Sequence, residues 1–333
     1  MKRLGNSYDK IIDIDNLKLA DEKARKGKLK SYGVIKHDKN RDENILKLQR
    51  MLIENKYTTS DYHIFKIYEP KEREIYQLPY YPDRIVHHAI MNILEPIWVK
   101  IFIKNTYSCI KGKGIHAAVR DLKYALKSDR ENTKYCLKLD IRKFYPSIDH
   151  DILKSLIRKK IKDKQLLALL DEIIESAPGV PIGNYLSQYF ANLYLSYFDH
   201  WLKEVKHVKY YFRYADDIVI LHGDKDYLHC LLVDMKDYLH DNLNLTVKQN
   251  YQIFPVSSRG IDFVGYVFFH THTLMRKSIK KNMCRKAARL KNKNIAIKPY
   301  KQALCSWIGW AEHCNSKNLL KTILKKEYYE SLL

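Results

Sequence analysis

Cysteine pairs and long apolar runs are both missing from this 333-residue chain. No two of the six cysteines form a C-x-x-C pair, which excludes the zinc knuckles and dithiol redox sites built on that spacing, and we expect reduced, mostly buried thiols. No 18 apolar residues follow one another, so no membrane span is predicted. The opening MKRLGNSYDK has no apolar stretch after its basic residues, so we predict no signal peptide and expect a cytoplasmic protein.

Acidic residues are in short supply. The chain has 38 Asp and Glu against 60 Lys and Arg, which gives a formal net charge of +22 and a pI near 9.5. Such a balance predicts a polyanionic partner, most plausibly nucleic acid. The alternative is a basic protein that is merely soluble and positively charged.

The order of predicted elements indicates an α+β fold, an antiparallel sheet backed by helices. The apolar stretch YCLKLDI at 135–141 predicts a strand, and RIVHHAIMNILEPIWVKIF predicts a helix. The stretch KYYFRYADDIVIL reads as a hairpin with Asp216 and Asp217 at its turn. Further strands are predicted near LTVK and at IDFVGYVFF, before a basic helical tail.

The adjacent aspartates Asp216 and Asp217 interrupt an otherwise apolar and aromatic run. Two carboxylates that repel each other in a buried place require a cation to neutralise them. Asp140, near the end of the strand at 135–141, would join them if both strands lie in one sheet. Three carboxylates at one point would suit a two-metal site for nucleotidyl transfer. The alternative reading of the pair is an ordinary turn, since Asp favours turns.

The wider pattern resembles the reverse transcriptases. The motifs in family order are PKEREIYQLPYYPDRIVHHA, TYSCIKGKGIHAA, LDIRKFYPSID, PIGNYLSQ, YADD, LNLTVKQN and IDFVGYVF. The resemblance runs from about residue 67 to the end, and it implies a right-hand polymerase fold with fingers, an antiparallel palm sheet that carries YADD, and a basic helical thumb. It divides the chain into an N-terminal helical extension at 1–66, fingers at 67–134, a palm at 135–270 with a fingers insertion near 150–180, and a thumb at 271–333.

The resemblance also implies roles for individual residues. Catalysis and binding of two Mg²⁺ ions, with Mn²⁺ as an alternative, fall to Asp140, Asp216 and Asp217, with the carbonyl of Ile141 as a further ligand. Nucleotide binding falls to Lys71, Arg73, Phe144, Tyr145, Ile182, Gly183, Gln188 and Lys248. The primer grip is Phe263, Val264, Gly265 and Tyr266.

Four of these nucleotide-binding positions have a stated task. Lys71 and Arg73 match residues that grip the incoming triphosphate, and the alternative is that they are solvated. Tyr145 matches an aromatic gate that clashes with a 2′-hydroxyl, which implies deoxynucleotide substrates, and the alternative is a core tyrosine beside Phe144. Lys248 matches a lysine near the active site that could donate a proton to pyrophosphate.

The fourth motif departs from the pattern of many reverse transcriptases, which have Gln-Gly followed by Ser-Pro. Here Ile182-Gly183 is followed by Ser187-Gln188. The pattern I-G-x-x-x-S-Q resembles the enzymes of diversity-generating retroelements, which copy a template RNA with errors at adenines. The resemblance implies the bacterial and phage group II intron-like lineage. Retron enzymes, which should show their own specificity segments, and group II intron enzymes, which should have a longer maturase region, fit less well. The resemblance implies template RNA, a cDNA primer or product and dNTPs as partners, a small basic accessory protein as a further candidate, and no membrane.

The basic tail is informative without any resemblance. From 276 to 333 there are 15 Lys and Arg against 3 Glu, interleaved with Trp and Tyr. Basic helices of this kind suit the backbone of an A-form heteroduplex, and the alternative is a solvated face of a helix bundle. The residues predicted to contact nucleic acid are Arg276, Lys277, Lys280, Lys281, Arg285, Lys286 and Arg289.

Three other functions compete with a templated polymerase in a retroelement. They are a phage-defence reverse transcriptase, a non-templated terminal transferase, and a catalytically idle RNA-binding scaffold that keeps the fold. The intact set of three aspartates argues against the scaffold.

Overall fold

The computed structural model describes residues 3–68, 72–293 and 295–332. Its α-helices are α1 Tyr8–Ile12, α2 Ile14–Ala24, α3 Tyr32–Asp38, α4 Arg41–Ile53, α5 Ile85–Trp98, α6 Ile115–Ser128, α7 His150–Arg158, α8 Lys164–Glu175, α9 Tyr185–His200, α10 Lys225–Leu243, α11 Val256–Arg259, α12 Lys277–Asn292, α13 Ile297–Ala311, α14 Lys317–Ile323 and α15 Lys326–Glu330. Its strands are β1 His63–Ile67, β2 Arg73–Gln77, β3 Tyr135–Asp140, β4 Tyr210–Tyr214, β5 Asp217–His222, β6 Gln252–Pro255, β7 Ile261–Phe263, β8 Tyr266–Phe268 and β9 Thr273–Met275.

The chain forms two compact units, and each is built from separated segments. The first unit comprises residues 1–109, 141–207 and 236–247, and the second comprises 110–140, 208–235 and 248–333. These units cut across the four segments predicted from the sequence. That four-part division remains a prediction.

The first unit is mainly helical. The predicted helix at 84–102 is present as α5, and it buries Val86, Ile90, Leu94 and Trp98. Most of α9 is also buried, and the Asn192 amide on this helix donates a hydrogen bond of 2.9 Å to the carbonyl of Ser108. The antiparallel pair β1–β2 belongs to the same unit.

The second unit contains an antiparallel sheet in the order β4-β5-β3-β6. Its two middle strands are apolar and buried, with Leu137 on β3 and Ile218 to Leu221 on β5. Because both faces of these strands are covered, their sequences are nearly continuous apolar runs rather than strict alternations.

A smaller sheet and a helix bundle complete the second unit. The sheet is antiparallel in the order β7-β8-β9. Helix α12 turns Met283, Ala287 and Leu290 inward, where they pack with Tyr300 and Leu304 of α13. The spacing of three and four residues places these apolar side chains on one face of α12 and leaves its basic side chains on the other.

One predicted strand differs from the structure. The segment LTVK contributes only an isolated bridge, from Val247 to Ile141, and the strand after it is β6 at Gln252–Pro255. Asn244, with φ +50°, and the exposed residues that follow Lys248 leave too few consecutive extended residues for a ladder. Among the described residues, no helix is long and apolar enough to cross a membrane.

Candidate active site

The three aspartates come from neighbouring strands of the four-stranded sheet. Asp140 is the last residue of β3 and lies opposite Asp217, the first residue of β5, in the antiparallel register. The β4–β5 connection is the tight turn Ala215-Asp216, with Tyr214 paired to Asp217. The hairpin predicted from the sequence is therefore present, with Asp216 in the turn and Asp217 immediately after it.

A buried arginine supports this turn. Ala215 has φ +52°, in the left-handed region that side chains other than glycine seldom adopt. The Arg213 side chain is fully buried, and its Nη1 donates a 3.0 Å hydrogen bond to the Ala215 carbonyl. This bond satisfies the turn carbonyl and holds Asp216 at the end of the hairpin.

Burial and mutual repulsion raise the pKa values of the two hairpin aspartates. Desolvation, then the charge of Asp140 and a hydrogen bond with it, raises the pKa of Asp216 to about 6. Desolvation also raises the pKa of Asp217 to about 6; the positive charge of Lys138 opposes this shift, and Asp140 adds to it. The side chain of Asp217 is 29% exposed, so its desolvation is incomplete.

Two lysines lie beside the carboxylates. The ammonium nitrogen of Lys248 is 2.7 Å from Oδ2 of Asp140, and the Lys248 backbone N–H donates to the Asp140 carbonyl at 2.9 Å. The Lys138 Nζ is 3.8 Å from Oδ1 of Asp217 and donates to the carbonyl of Asp262. Lys248 is thus an ion-pair partner of Asp140.

Two carboxylate oxygens at this site still lack a hydrogen-bond partner. Oδ1 of Asp140 and Oδ1 of Asp217 are buried and accept no hydrogen bond from the described residues. Buried polar atoms without partners are rare because they are costly. No three Asp, Glu, His or Cys side chains in the described ranges form a complete metal cage. Mg²⁺ does not need one, since one or two carboxylates usually hold it together with phosphate oxygens and water. The donor set therefore fits such an ion.

Sequence reasoning missed four neighbouring contributions, from Lys138, Arg213, Asp262 and the ion pair of Arg276. Lys138 had a signal, because residues two apart on a strand face the same side and Lys138 precedes Asp140 by two. Arg276, predicted to contact nucleic acid, lies 2.6 Å from Oδ1 of Asp262 and is ion-paired. No local pattern links those two residues.

Several predicted nucleotide-binding residues lie in the first unit. The Tyr145 ring contacts the buried Phe144 ring edge-on at 5.5 Å, and the Tyr145 carbonyl accepts from the N–H of Val180 at 2.9 Å. Arg73 begins β2 and is exposed, and Gln188 is exposed on α9. Lys71 lies outside the described residues.

The fourth motif packs against the backbone of β2. The Ile182 carbonyl accepts a 2.8 Å hydrogen bond from the N–H of Tyr76. Gly183 has φ +129°, and a Cβ there would lie 2.5 Å from the Tyr76 carbonyl oxygen. Position 183 therefore requires glycine for both its backbone angle and this close approach.

The predicted primer grip is the tight turn between β7 and β8. Its two central residues, Val264 and Gly265, have φ +42° and +90°. A Cβ on Gly265 would lie 2.4 Å from the ring of Trp310, and the Tyr266 hydroxyl donates to the Trp310 carbonyl at 2.9 Å. The turn is thereby fixed against α13.

The basic residues of α12 form an exposed face. None of them is ion-paired with a carboxylate of the described residues. They are Lys277, Lys280, Lys281, Arg285, Lys286, Arg289 and Lys291. Unpaired cations on one face of a helix are the arrangement that phosphate contacts require.

Solved structures of two telomerases share the fold. Telomerase from Candida tropicalis, in complex with a TWJ fragment of telomeric RNA, matches 83% of this chain and 58% of its own with a TM-score of 0.52 and 12% identity. Telomerase from Candida albicans, in complex with the same kind of fragment, matches 85% of this chain and 61% of its own with a TM-score of 0.51 and 11% identity. Together with the mixed helices and antiparallel sheets, this likeness defines a right-hand polymerase fold, as predicted.

The sequence assigns the family within that fold. A family model described as reverse transcriptase (RNA-dependent DNA polymerase) matches residues 69–268, more than half of the chain. The chain therefore belongs to the reverse transcriptase family.

Curated relatives extend this assignment. Protein YkfC of Escherichia coli is 25% identical over 60% of this chain, and the group II intron-encoded protein LtrA of Lactococcus lactis is 20% identical over 57%. The chain spans 62% and 43% of the lengths of these two proteins. The retron Ec73 reverse transcriptase of E. coli is 25% identical over 76% of this chain and 83% of its own length. The lineage is thus that of group II intron and retron enzymes, which confirms the predicted group II intron-like lineage, and the diversity-generating subtype remains a prediction.

Proposed function

We propose that the chain is an RNA-directed DNA polymerase, which extends a DNA primer along a template RNA with dNTPs. The observation that carries this proposal is the meeting of Asp140, Asp216 and Asp217 at the ends of β3 and β5. Two of their oxygens are buried without a hydrogen-bond partner among the described residues. Carboxylate oxygens that have no hydrogen-bond partner in the folded chain are suited to coordinate a cation that also binds a phosphate.

Mg²⁺, with Mn²⁺ as the alternative, would be held by these aspartates and the carbonyl of Ile141. When bound, such ions would lower the pKa of the primer 3′-hydroxyl and offset the charge of the phosphoryl group. Lys248 keeps Asp140 in place through its 2.7 Å ion pair. Its ammonium group is also our candidate proton donor to the departing pyrophosphate.

The nucleotide would be selected by residues of the first unit. Lys71 and Arg73 would bind the triphosphate, and Tyr145, packed against Phe144, would exclude a 2′-hydroxyl. Tyr145→Val should then admit ribonucleotides, at some loss of dNTP turnover. Unchanged discrimination between dATP and ATP would indicate that Tyr145 is a core residue beside Phe144 and not a sugar gate.

The template and primer would be held by the second unit. The unpaired basic face of α12 would contact the phosphates of the heteroduplex, and the turn at 263–266 would position the primer end. Affinity should fall by roughly 10³ or more between 50 and 200 mM salt if about six or more phosphates are neutralised. A flat salt response would point to base stacking instead.

The test of polymerase activity is primer extension with dTTP on oligo(dT) annealed to poly(rA). Extension by the wild type and none by Asp216→Asn, at equal RNA affinity, is the expected result. Extension that persists without template would indicate a terminal transferase. No extension by a folded wild type that binds RNA would indicate the idle scaffold.

Within the family, we propose an error-prone enzyme of a diversity-generating retroelement. The support is Ile182-Gly183 followed by Ser187-Gln188. Ile182 has no polar group that could hydrogen-bond near the nascent base pair, so discrimination against mispairs should be weaker by about 1–2 kcal/mol, or roughly five- to thirtyfold. A small basic accessory protein would be its partner.

This narrower assignment is tested by sequencing cDNA made on one RNA template by the wild type, Ile182→Gln and the apolar control Ile182→Val. We expect errors concentrated at template adenines, fewer errors in Ile182→Gln and no change in Ile182→Val. An error rate that is low and uniform across the four template bases would contradict it.

The alternative is a phage-defence enzyme, since those enzymes share part of the C-terminal pattern. A genomic template repeat and variable repeat beside the gene would favour the retroelement, and a defence island the alternative.

A further inference from the structure

The first unit contains two adjoining cavities. The larger has a volume of about 880 Å³ and the smaller about 170 Å³. They share the lining residues Lys28, Gln77, Leu78 and Arg84. The larger volume lies in the range of small-molecule and cofactor sites, which accommodates single nucleotides but not a nucleic-acid duplex.

The larger cavity is lined by cations without anions. Lys28, Lys36, Lys39 and Arg84 line it, and no Asp or Glu among the described residues does. None of these four cations is paired with a carboxylate of the described residues. By contrast, Arg25 and Arg41, which do not line the cavity, both bind the buried Asp21, at 2.7 and 2.6 Å. The fold therefore pairs its inward cations and leaves those of the cavity for an external anion.

The electrostatics of the lining favour such an anion. The pKa of Lys28 is lowered, first by desolvation and then by the charge of Arg84, although much of the Lys28 side chain is exposed. Desolvation also lowers the pKa of Arg84. An anion between these two cations would offset their repulsion and raise both pKa values.

Unsatisfied polar atoms accompany the cations. Nε of Arg84 and the hydroxyl of Tyr81 are buried without a hydrogen-bond partner. In the smaller cavity the same is true of Nε2 of His87, whose side chain is 1% exposed. Burial lowers the pKa of His87 to about 3, so its ring is neutral at pH 7. Buried groups of this kind cost free energy unless something bonds them.

The lining also offers aromatic surface. Tyr32 at the larger cavity is 80% exposed. The buried His37 ring is stacked on Tyr81, with ring centroids 5.4 Å apart. Exposed rings beside unpaired cations suit single-stranded nucleic acid, because bases stack on the rings while the cations neutralise the backbone.

The frame of the larger cavity is fixed. The Tyr80 hydroxyl donates to Oδ1 of Asp21 at 2.5 Å, which ties the 80–84 segment to α2. The Arg41 bond to the same carboxylate ties α4 to α2. Gly33 approaches so closely that a Cβ there would lie 2.8 Å from the Cβ of Tyr80. The cations therefore project from a braced scaffold, which lowers the cost of ordering them on binding.

We propose that the larger cavity binds a phosphate-bearing nucleotide of single-stranded RNA. A free nucleoside triphosphate shares this chemistry but arrives with Mg²⁺, for which the described lining residues offer no carboxylate. A strand also brings neighbouring bases, which can stack on the exposed Tyr32 at the cavity. The site goes beyond the proposed polymerase activity and does not depend on it.

The first experiment maps lysine protection by mass spectrometry. The full chain is acetylated briefly with and without a 12-nucleotide RNA of mixed sequence, and separately with ATP in EDTA. We expect RNA to slow acetylation of Lys36 and Lys39 at least fivefold, and to leave the exposed Lys10 and Lys18 of the same unit unchanged. Equal effects at all four lysines, or protection by ATP and not by RNA, would overturn the proposal. Since the readout is local, RNA bound elsewhere on this basic chain does not confuse it.

The second experiment removes the charge. The double variant Lys36→Gln/Lys39→Gln should lower the slope of log K against log salt for single-stranded RNA by about 1.4, the amount for two phosphates. Lys10→Gln/Lys18→Gln removes the same charge and should leave the slope unchanged. Equal slopes in the two double variants would refute the site.

The third experiment removes the stacking ring. Tyr32→Ala should weaken RNA binding about fivefold or more. Tyr124→Ala is the matched control, because Tyr124 is 75% exposed but does not line the cavity. Equal losses in both variants would contradict a stacking role. Loss of primer extension with intact protection of Lys36 would instead refute the polymerase assignment alone.

Discussion

Asp21 in the first unit is buried and Asp216 in the second is half-buried, and their surroundings differ. Asp21 is fully buried and accepts bonds from Tyr80, Arg41 and Arg25. Desolvation alone would raise its pKa, but these hydrogen bonds outweigh it, and the pKa of Asp21 is lowered. The pKa of Asp216 is raised to about 6, because desolvation acts there together with a second carboxylate, Asp140.

The difference distinguishes a carboxylate whose hydrogen bonds are all made within the fold from carboxylates whose hydrogen bonding remains incomplete. Asp21 is saturated by donors of its own chain, so it stabilises the first unit and has no oxygen to offer a ligand. At the other centre, Oδ1 of Asp140 and of Asp217 have no donor among the described residues. Perturbed, incompletely paired acids of this kind are typical of functional sites.

The largest expected effect comes from Asp216→Asn, which should reduce nucleotide incorporation at least about 10³-fold because it removes charge where phosphoryl transfer needs it. RNA affinity should change less than twofold, since the cations that would bind RNA lie elsewhere. Primer extension and fluorescence anisotropy measure the two quantities. Asp151→Asn, on the exposed side of α7, is the control and should behave as the wild type. Near-normal primer extension by Asp216→Asn would show that the β4–β5 hairpin is not part of the catalytic site.

The proposed catalytic centre was easier to predict from the sequence than the structural one. Asp216 and Asp217 interrupt an apolar hairpin and Asp140 ends a short apolar strand, and the resemblance of the wider motif order to reverse transcriptases singled out all three. Asp21 gave no such signal. Its partners Arg41 and Tyr80 lie 20 and 59 residues away, and only tertiary packing brings them together.

The misplaced strand near LTVK has a related cause. A strand requires a partner along several residues, and the sequence shows β propensity but not partners. Val247 does pair with Ile141, but the backbone N–H and the side chain of the neighbouring Lys248 both bond to Asp140 and do not extend a β-ladder. The same limit hid the cavity of the first unit, whose cations come from segments about 50 residues apart in the sequence.

The next largest effect is on folding. Asp21→Asn should lower the free energy of unfolding by about 3 kcal/mol, because it leaves Arg25 and Arg41 without their shared anion. Thermal and urea unfolding measure it, and any refolded enzyme should retain its activity per folded molecule. Asp9→Asn, an exposed change on α1, should stay within about 0.5 kcal/mol of the wild type. If Asp21→Asn were as stable as that control, the hydrogen bonds and ion pairs of Asp21 would not be what stabilises the first unit.

The smallest effect, and the one that compares the two centres most directly, is the pH dependence of stability without divalent ions. A carboxyl group whose pKa is raised by folding stabilises the native state only while it is protonated. This contribution is complete below the ordinary value of 3.8 and is lost as pH rises through about 6. Asp217→Asn should therefore be more stable than the wild type at pH 7.5 in EDTA, by at most roughly 3 kcal/mol, and the advantage should vanish near pH 4.

Asp21→Asn should show the opposite pH dependence, because the lowered pKa of Asp21 gives a stability that is present at neutral pH and lost as pH falls through that lowered pKa. The measurement is the melting temperature of the three proteins from pH 4 to 8, repeated with Mg²⁺, which should raise the melting temperature of the wild type more than that of Asp217→Asn. If Asp217→Asn proved less stable than the wild type at pH 7.5 in EDTA, the aspartates of the second unit would be partnered as fully as Asp21, and the contrast between the centres would be lost.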